Sequence, residues 1–383
     1  MELVSPAVII LLGCIALLLL LQWKNLRGPP CIGGWIPWIG AGFEFGKAPL
    51  EFIEKARIKY GPIFTIFAVG NRMTFVTEEE GIEVFLKSKK VNFELAVQNP
   101  IYRTVSIPKD TYLSLHDKLY FTMKGKMGTL NLFHLKEQLI EELHRQMENL
   151  SPHGTMDLDN LVRGEYWNYI KLHNGSQKKQ RDYMYTRLSA IFEVAFWTLA
   201  FVLSHPNIHK TIMEDISSVV GTAGKDKIKV SEDDLKKLLL IKWCILEAIR
   251  LRAPGVIARK VVEPVKILNY TVPAGDLLLL SPFWLHRNPK YFPEPESFKP
   301  LRLCSHCLQI KLIVLLAQLY LPKHLEVSSS LWLALLEIQV FIILILYKYD
   351  CSLLDPLPKQ SCLHLVGVQQ PEGQCRIEYK QRK

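Results

Sequence analysis

Ile245-Leu246-Glu247-Ala248-Ile249-Arg250-Leu251-Arg252-Ala253-Pro254 reads as the last turns of a helix, with Pro254 as its stop. Glu247 and Arg250 stand three apart and therefore share a face. On a surface such a pair is worth about 0.2–0.5 kcal/mol. Here Leu238, Ile241, Ile245 and Ile249 make the helix largely apolar, which puts the pair beside a core. A buried Glu–Arg pair needs further hydrogen-bond partners. The helix is predicted over Ser231–Arg252, with Ser231 and Asp234 as a capping box that has Asp in place of Glu.

Downstream, Val261–Leu268 and Leu277–Leu280 read as strands joined through the turn Val272-Pro273-Ala274-Gly275. Then come His286-Arg287-Asn288-Pro289-Lys290-Tyr291-Phe292-Pro293-Glu294-Pro295 and Phe298-Lys299-Pro300-Leu301-Arg302. Upstream, Glu193–Ser204 is a strongly apolar helix that ends before His205-Pro206. Leu50–Tyr60, Glu78–Ser88, Tyr112–Met127 and Leu135–Leu150 also read as helices. Ile63–Val69 and Met73–Val76 read as strands turning at Gly70-Asn71. The loop Gly33–Gly46, rich in Gly, Trp and Pro, is expected to lie against something apolar. The coarse class is mainly helical with small sheets built from separated hairpins. It has no βαβ alternation and no glycine-rich phosphate loop, which counts against a nucleotide-binding fold.

Taken together and in order, these segments resemble the cytochrome P450 family. The E-x-x-R helix matches at Glu247 and Arg250, and the Pro-x-Gly turn at Pro273 and Gly275. The H-R-x-P-x-x-F-x-x-P segment follows at His286, and F-x-P-x-R matches at Phe298, Pro300 and Arg302. Leu301 stands where the family usually has an acid. Gly34-Trp35-Ile36-Pro37-Trp38-Ile39-Gly40 and Tyr60-Gly61-Pro62-Ile63-Phe64 agree in the N-terminal half. Within the family, the wording is most similar to the sterol 7α-hydroxylase branch, as in Phe45-Gly46-Lys47-Ala48-Pro49 and Phe196-Trp197-Thr198-Leu199-Ala200. The resemblance implies a haem-thiolate monooxygenase of the endoplasmic-reticulum membrane. It implies an oxysterol substrate hydroxylated at the 7α position in cholesterol and bile-acid metabolism, and NADPH-derived electrons delivered by NADPH–cytochrome P450 reductase.

It also implies roles for particular residues. Glu247, Arg250 and Arg302 would form a structural network beside the haem. Arg259 lies at about the spacing of a propionate contact, which suits the guanidinium fork; a strand-end surface arginine is the alternative. Lys124 and Lys126 would meet the other propionate, or else belong to a solvated helix end. Glu193 reads either as a proton donor or as an acid near the start of a shortened helix.

The chain departs from the family in two places. Residues 164–193, polar and basic up to Arg187, replace several helices of the distal lid. Residues 301–331 interrupt two family-like blocks. A haem thiolate is expected in a glycine-bearing loop just before Ala334-Leu335-Leu336-Glu337, yet no glycine lies between Gly275 and Gly367. Counting back from Glu337, the metal-ligand position falls near Ser328. Cys304 and Cys307 form a C-x-x-C spacing without a second ligand pair. A shifted reading frame or alternative exon joining would account for the block. Two classes of function therefore stand: the monooxygenase, and a catalytically inactive truncated or frame-shifted form without haem ligation. An isomerase of the related prostacyclin-synthase type would need the same cysteine.

The N-terminus supplies the remaining expectation. Leu3 to Trp23 carries no charged side chain, roughly 30 Å of helix, enough for one transmembrane span. Lys24 and Arg27 follow it, which puts the main domain in the cytosol. The expected organisation is an anchor with a basic stop over 1–27 and one domain over 28–383. Leu308–Leu321, with Lys311, and Leu331–Tyr347, with Glu337 and Gln339, are expected to be buried helices and not spans. Eight irregularly spaced cysteines do not form a disulfide framework. The net charge of +10 suits an anionic leaflet or an acidic partner protein. The densest basic runs, Lys87-Ser88-Lys89-Lys90 and Lys178-Lys179-Gln180-Arg181, lack interleaved aromatics, so no nucleic-acid partner is expected.

Overall fold

The computed structural model describes residues 28–96, 140–164, 178–304 and 327–383, apart from Trp35, Pro37, Gln146, Lys225, Val366 and residues 362–364; Gly13 and Glu137 are also described. The apolar run Leu3–Trp23 as a whole, the helix expected at Tyr112–Met127, the segment Leu308–Leu321, and Lys124, Lys126 and Cys307 lie outside the described residues. Among the described residues no single helix is long and apolar enough to cross a membrane. The chain forms two compact units: Met1–Thr104 with Ile257–Ser281, and Val105–Val256 with Pro282–Lys383.

The first unit is built on a six-stranded sheet. In chain order its strands are β1 (Cys31–Ile32), β2 (Ile63–Ala68), β3 (Asn71–Val76), β4 (Val91–Asn92), β6 (Ile257–Val261) and β9 (Leu277–Leu280). They lie side by side as β1-β2-β3-β9-β6-β4. Hairpins alone do not make it: β1 pairs with β2, and β3 with β9, in parallel. The strand expected at Val261–Leu268 is two strands, β6 and β7 (Val265–Ile267), broken at Glu263-Pro264. Proline has no N–H for a ladder, which explains the break. β7 pairs with β8 (Tyr270–Val272) as a separate hairpin. Helices α1 (Gly42–Lys47), α2 (Pro49–Tyr60) and α3 (Glu80–Lys87) complete the unit. Phe64 and Phe75, fully buried, stack at 5.8 Å in its core. The β2–β3 turn closes at Val69-Gly70, and Gly40 bridges Ala68 beside it. A Cβ on Gly40, at φ +58°, would stand 2.1 Å from the Phe67 carbonyl oxygen, so only glycine fits.

The second unit is mainly helical. Its helices are α4 (Lys178–Ser204), α5 (Pro206–Val220), α6 (Glu232–Lys237), α7 (Leu239–Arg252), the short α8 (Pro282–Leu285) and α9 (Val327–Lys348). A three-stranded antiparallel sheet joins β10 (Tyr349–Leu353), β13 (Arg376–Gln381) and β5 (His153–Asp157). The short strands β11 (Lys359–Gln360) and β12 (Pro371–Glu372) pair separately. One large apolar core gathers Phe196, Trp197, Ile241, Ile245, Phe341 and Ile345.

Two expectations change here, and one contact is added. First, α4 begins at Lys178, so the described part of the polar stretch before Glu193 is helical from there on and Glu193 sits well inside the helix. Lys, Gln, Arg and Met favour helix whatever their polarity. Second, the helix expected over Ser231–Arg252 is two, α6 and α7, meeting at Leu238. The Ser231–Asp234 capping box is present at the start of α6. The carbonyls freed at the break are not left bare. Gln339 of α9 donates from Nε2 to Leu235 O at 2.9 Å and Leu238 O at 3.1 Å. A buried amide in an apolar run needs partners, and these are they.

Candidate functional site

Helix α7 carries the ionic centre of the second unit. Burial takes in nearly its whole circumference, including Leu240, Ile241, Cys244, Leu246 and Leu251. Glu247 and Arg250 lie among these side chains, both fully buried. Arg250 grips the carboxylate with two bonds: Nε to Oε2 at 2.9 Å and Nη2 to Oε1 at 2.9 Å. Its Nη1 donates to the His286 carbonyl at 2.7 Å, and its guanidinium stands 5.0 Å over the Phe292 ring. Glu247 Oε1 also accepts the Lys299 backbone N–H at 3.1 Å, with Arg302 Nε 3.3 Å away. Arg302 donates to the carbonyls of Pro293, Glu294, Ser297 and Lys299. The helix pair and the loop from His286 to Arg302 are thus one hydrogen-bonded body. Desolvation of two charges is offset only when every remaining donor and acceptor is used, and this arrangement comes close to that.

His286 sits against this centre with both ring nitrogens buried and, among the described residues, without hydrogen-bond partners. Burial pulls its pKa down to about 3, and Arg250 and Arg287 add to the effect. It is a neutral imidazole. Arg287 lies 3.6 Å over the Phe283 ring, pairs with Glu296 at 2.9 Å and donates to Leu251 O at 2.7 Å.

Arg259 belongs to the first unit, on β6, and is only 3% exposed. It donates to its neighbour Ala258 O at 2.9 Å and lies 4.8 Å over Phe93 and 5.8 Å over Phe85. Among the described residues no carboxylate pairs with it, and burial alone lowers its pKa to about 10. It is a cation whose chemistry suits an anionic group.

Glu193, on α4, pairs with Arg163 Nη2 at 2.5 Å, and Arg163 in turn holds Asp159 at 2.7 Å. Burial raises the Glu193 pKa, while Arg163 opposes it. Beside Arg163, a cavity of about 210 Å³ is lined by Asp157, Asp159, Asn160 and Gln370. It is polar and too small for a sterol, which needs several hundred cubic ångströms.

The thiols bear directly on haem. A thiolate ligand must be deprotonated and face the iron. Cys244, Cys351 and Cys375 are buried and free, and burial pushes their thiols up, Cys351 to about 12 and Cys375 to about 11. Burial likewise raises Cys31 in the first unit. Cys304 is exposed at the end of a single 3-10 turn, Pro300–Leu303. Ser328 falls in the first turn of α9. Among the described residues none fits the iron, whereas Arg259 suits an acidic edge. Nor do any described residues cluster as metal ligands.

Sequence reading missed the Gln339 bridge, the Lys299 N–H on Glu247, and the chain from buried Thr65, Thr74 and Asp276 to half-buried Arg72 in the first unit. The signal for Gln339 was its own polarity inside Leu331–Tyr347. The others depend on loop and strand placement that no spacing encodes.

Comparison with known proteins gives this geometry its context. The cytochrome P450 family model matches residues 29–151 and 193–305, which include α7, the His286–Arg302 loop and Arg259. The match lapses over 152–192 and after residue 305. The human 24-hydroxycholesterol 7-alpha-hydroxylase is 58% identical over 469 aligned residues covering all of both chains. The mouse protein of the same name is 55% identical over 467, covering 100% of this chain and 99% of its own. Human lanosterol 14-alpha demethylase is 22% identical over 369 residues, 73% of this chain and 72% of its own. With the E-x-x-R ion pair, its loop partners and the six-stranded sheet all lying within the matched segments, the chain belongs to the cytochrome P450 family.

Proposed function

We propose that the chain serves oxysterol hydroxylation at the 7α position, with 24-hydroxycholesterol as the substrate class. The observation that carries this is similarity running the whole length of the human and mouse 7α-hydroxylases. The setting that goes with it is the endoplasmic-reticulum membrane, through a single span at Leu3–Trp23, with residues 28–383 facing the cytosol. Electrons come from NADPH through the P450 reductase, and the product feeds bile-acid metabolism. Glu247, Arg250 and Arg302 hold the fold and do no chemistry. Arg259, with Lys124 and Lys126, is assigned to the acidic edge of the haem.

The described residues supply no thiolate for the haem iron. A second reading, a member of the family that keeps the fold without the reaction, rests on that observation alone; similarity over the full chain favours the first. Membranes bearing the full chain, supplied with reductase, NADPH and 24-hydroxycholesterol, are expected to yield the 7α-hydroxylated product. The reduced, carbon-monoxide-treated spectrum is recorded on the same sample. Product absent and no thiolate-type haem band would overturn the first reading and establish the second.

A further inference from the structure

A buried polar group without a hydrogen-bond partner marks a place where something else belongs. The second unit holds two such side chains beside each other. Gln369 is 1% exposed, and its Oε1 and Nε2 both lack a partner among the described residues. Arg252, the last residue of α7, has a buried Nε in the same condition. The two are joined through the main chain, where Gln369 N–H donates to Arg252 O at 2.8 Å. Both also meet one indole. Trp197 Nε1 donates to Gln369 O at 2.6 Å, and the Arg252 guanidinium stands 4.6 Å over the Trp197 ring and 4.8 Å over that of Phe201.

Ring contact uses the face of a guanidinium and leaves its N–H groups, which lie in its plane, in need of acceptors. Arg252 Nη1 donates to the neighbouring Leu251 O at 3.1 Å. The acids around it are taken: Glu247 by Arg250 and Arg302, and Glu296 by Arg287 at 2.9 Å. Among the described residues no carboxylate pairs with Arg252. Burial lowers its pKa to about 10, Glu296 opposes this and Arg250 adds to it, so the group is a cation at neutral pH.

We infer that Arg252 and Gln369 form a binding site for a small monovalent oxyanion that carries its own O–H, of which hydrogencarbonate is the simplest. The guanidinium supplies the opposite charge and an Nε–H donor. The Gln369 amide offers one donor and one acceptor side by side, whichever way it is turned. Chloride or formate can take the donors but leaves the amide oxygen unpaired. The O–H of hydrogencarbonate donates to that oxygen, while its other oxygens accept from the amide and from Arg252. All three orphaned atoms are then satisfied by one ion. None of the bonds within the E-x-x-R centre is used, and the site goes beyond the hydroxylase reading.

The full chain in detergent micelles is melted at fixed pH, followed by tryptophan fluorescence, with ionic strength held constant by sodium gluconate. Hydrogencarbonate is expected to raise the unfolding midpoint along a saturating curve, by about 2 °C between about 1 and about 50 mM. Formate, which lacks the O–H, is expected to need about tenfold more, the worth of one hydrogen bond, and chloride likewise. Arg252→Met and Gln369→Leu are each expected to abolish the response. Arg252→Lys keeps the charge without the Nε–H and is expected to weaken the response about tenfold. Broadening of the carbon-13 hydrogencarbonate resonance by the wild-type chain, relieved by unlabelled ion, reads binding without any variant. No saturating rise and no broadening overturn the site. An equal response to formate or chloride overturns the match to an O–H-bearing ion. A response that survives in the folded variants puts the ion elsewhere and overturns the assignment to Arg252 and Gln369.

Discussion

At Glu247 the carboxylate receives two bonds from Arg250 and one from Lys299, with Arg302 close by. Removing Arg250 leaves a buried carboxylate short of its main partner. Arg250→Met is expected to cost about 3–5 kcal/mol, read as a fall in the denaturant midpoint. Arg259 presents the opposite case, a buried cation with no acid among the described residues. Arg259→Met is expected to leave the midpoint of the haem-free protein unchanged or raised, since an uncompensated charge is removed; a loss of several kcal/mol would show a protein partner for it. Two of the titrating groups pull the pH response in opposite directions. Burial raises the Glu337 pKa from 4.5 to about 7, so the folded state keeps a proton that the unfolded chain releases. Its contribution is full below about pH 4.5 and is lost as pH rises through 7. His286 acts in the other direction: its stability is full above pH 6.5 and is lost as pH falls toward 3. Glu337→Gln should therefore raise the unfolding midpoint at pH 8 and change it little at pH 4.5, in melts followed by circular dichroism.

Elements show how far sequence patterns reach. Helix α7 and its stop at Ala253-Pro254, the β2–β3 hairpin, the β8–β9 turn and the capping box of Ser231 are local, and their residues announce them. The break at Leu238 is not local. Its carbonyls are satisfied by Gln339, 101 residues away in sequence from Leu238. Gln339→Leu is expected to leave both carbonyls without their side-chain donor, at a cost of about 2 kcal/mol. Hydrogen exchange should speed up around the α6–α7 junction, and an unchanged pattern there would refute the bridging role. The parallel pairing of β3 with β9 was illegible for the same reason: their registers are 204 residues apart, and hydrophobic alternation does not choose between neighbours. Of the site, the spacing of Glu247 and Arg250 placed both on one face, while the Lys299 N–H on Glu247 and the burial of Arg259 against Phe85 and Phe93 are products of tertiary packing.

Across the whole molecule, the family model matches residues 29–151 and 193–305 and leaves 152–192 and the residues beyond 305 unmatched. The 469-position alignment exceeds the 383 residues of the chain, so the alignment holds gaps opposite its relative. The net charge of +10 is also a whole-molecule property. Association with an acidic reductase surface is expected to weaken several-fold between about 50 and about 500 mM salt, as screening shortens the reach of charge. Binding that ignores salt in a titration by surface plasmon resonance would exclude charge as its driver.

Gln339 has one more consequence. A helix turned by a single residue rotates about 100°, which would swing that amide away from Leu235 and Leu238 and put Ile338 or Val340 in its place. The amide therefore works as an index mark for α9. Whatever the number of residues in the segment that precedes it, the helix must settle at the same angle, and β10 and β13 must follow in the same register. Insertions and deletions upstream are thereby prevented from propagating into the C-terminal sheet. That gives a physical reason why the chain after Gln339 keeps its place on the core whatever precedes α9.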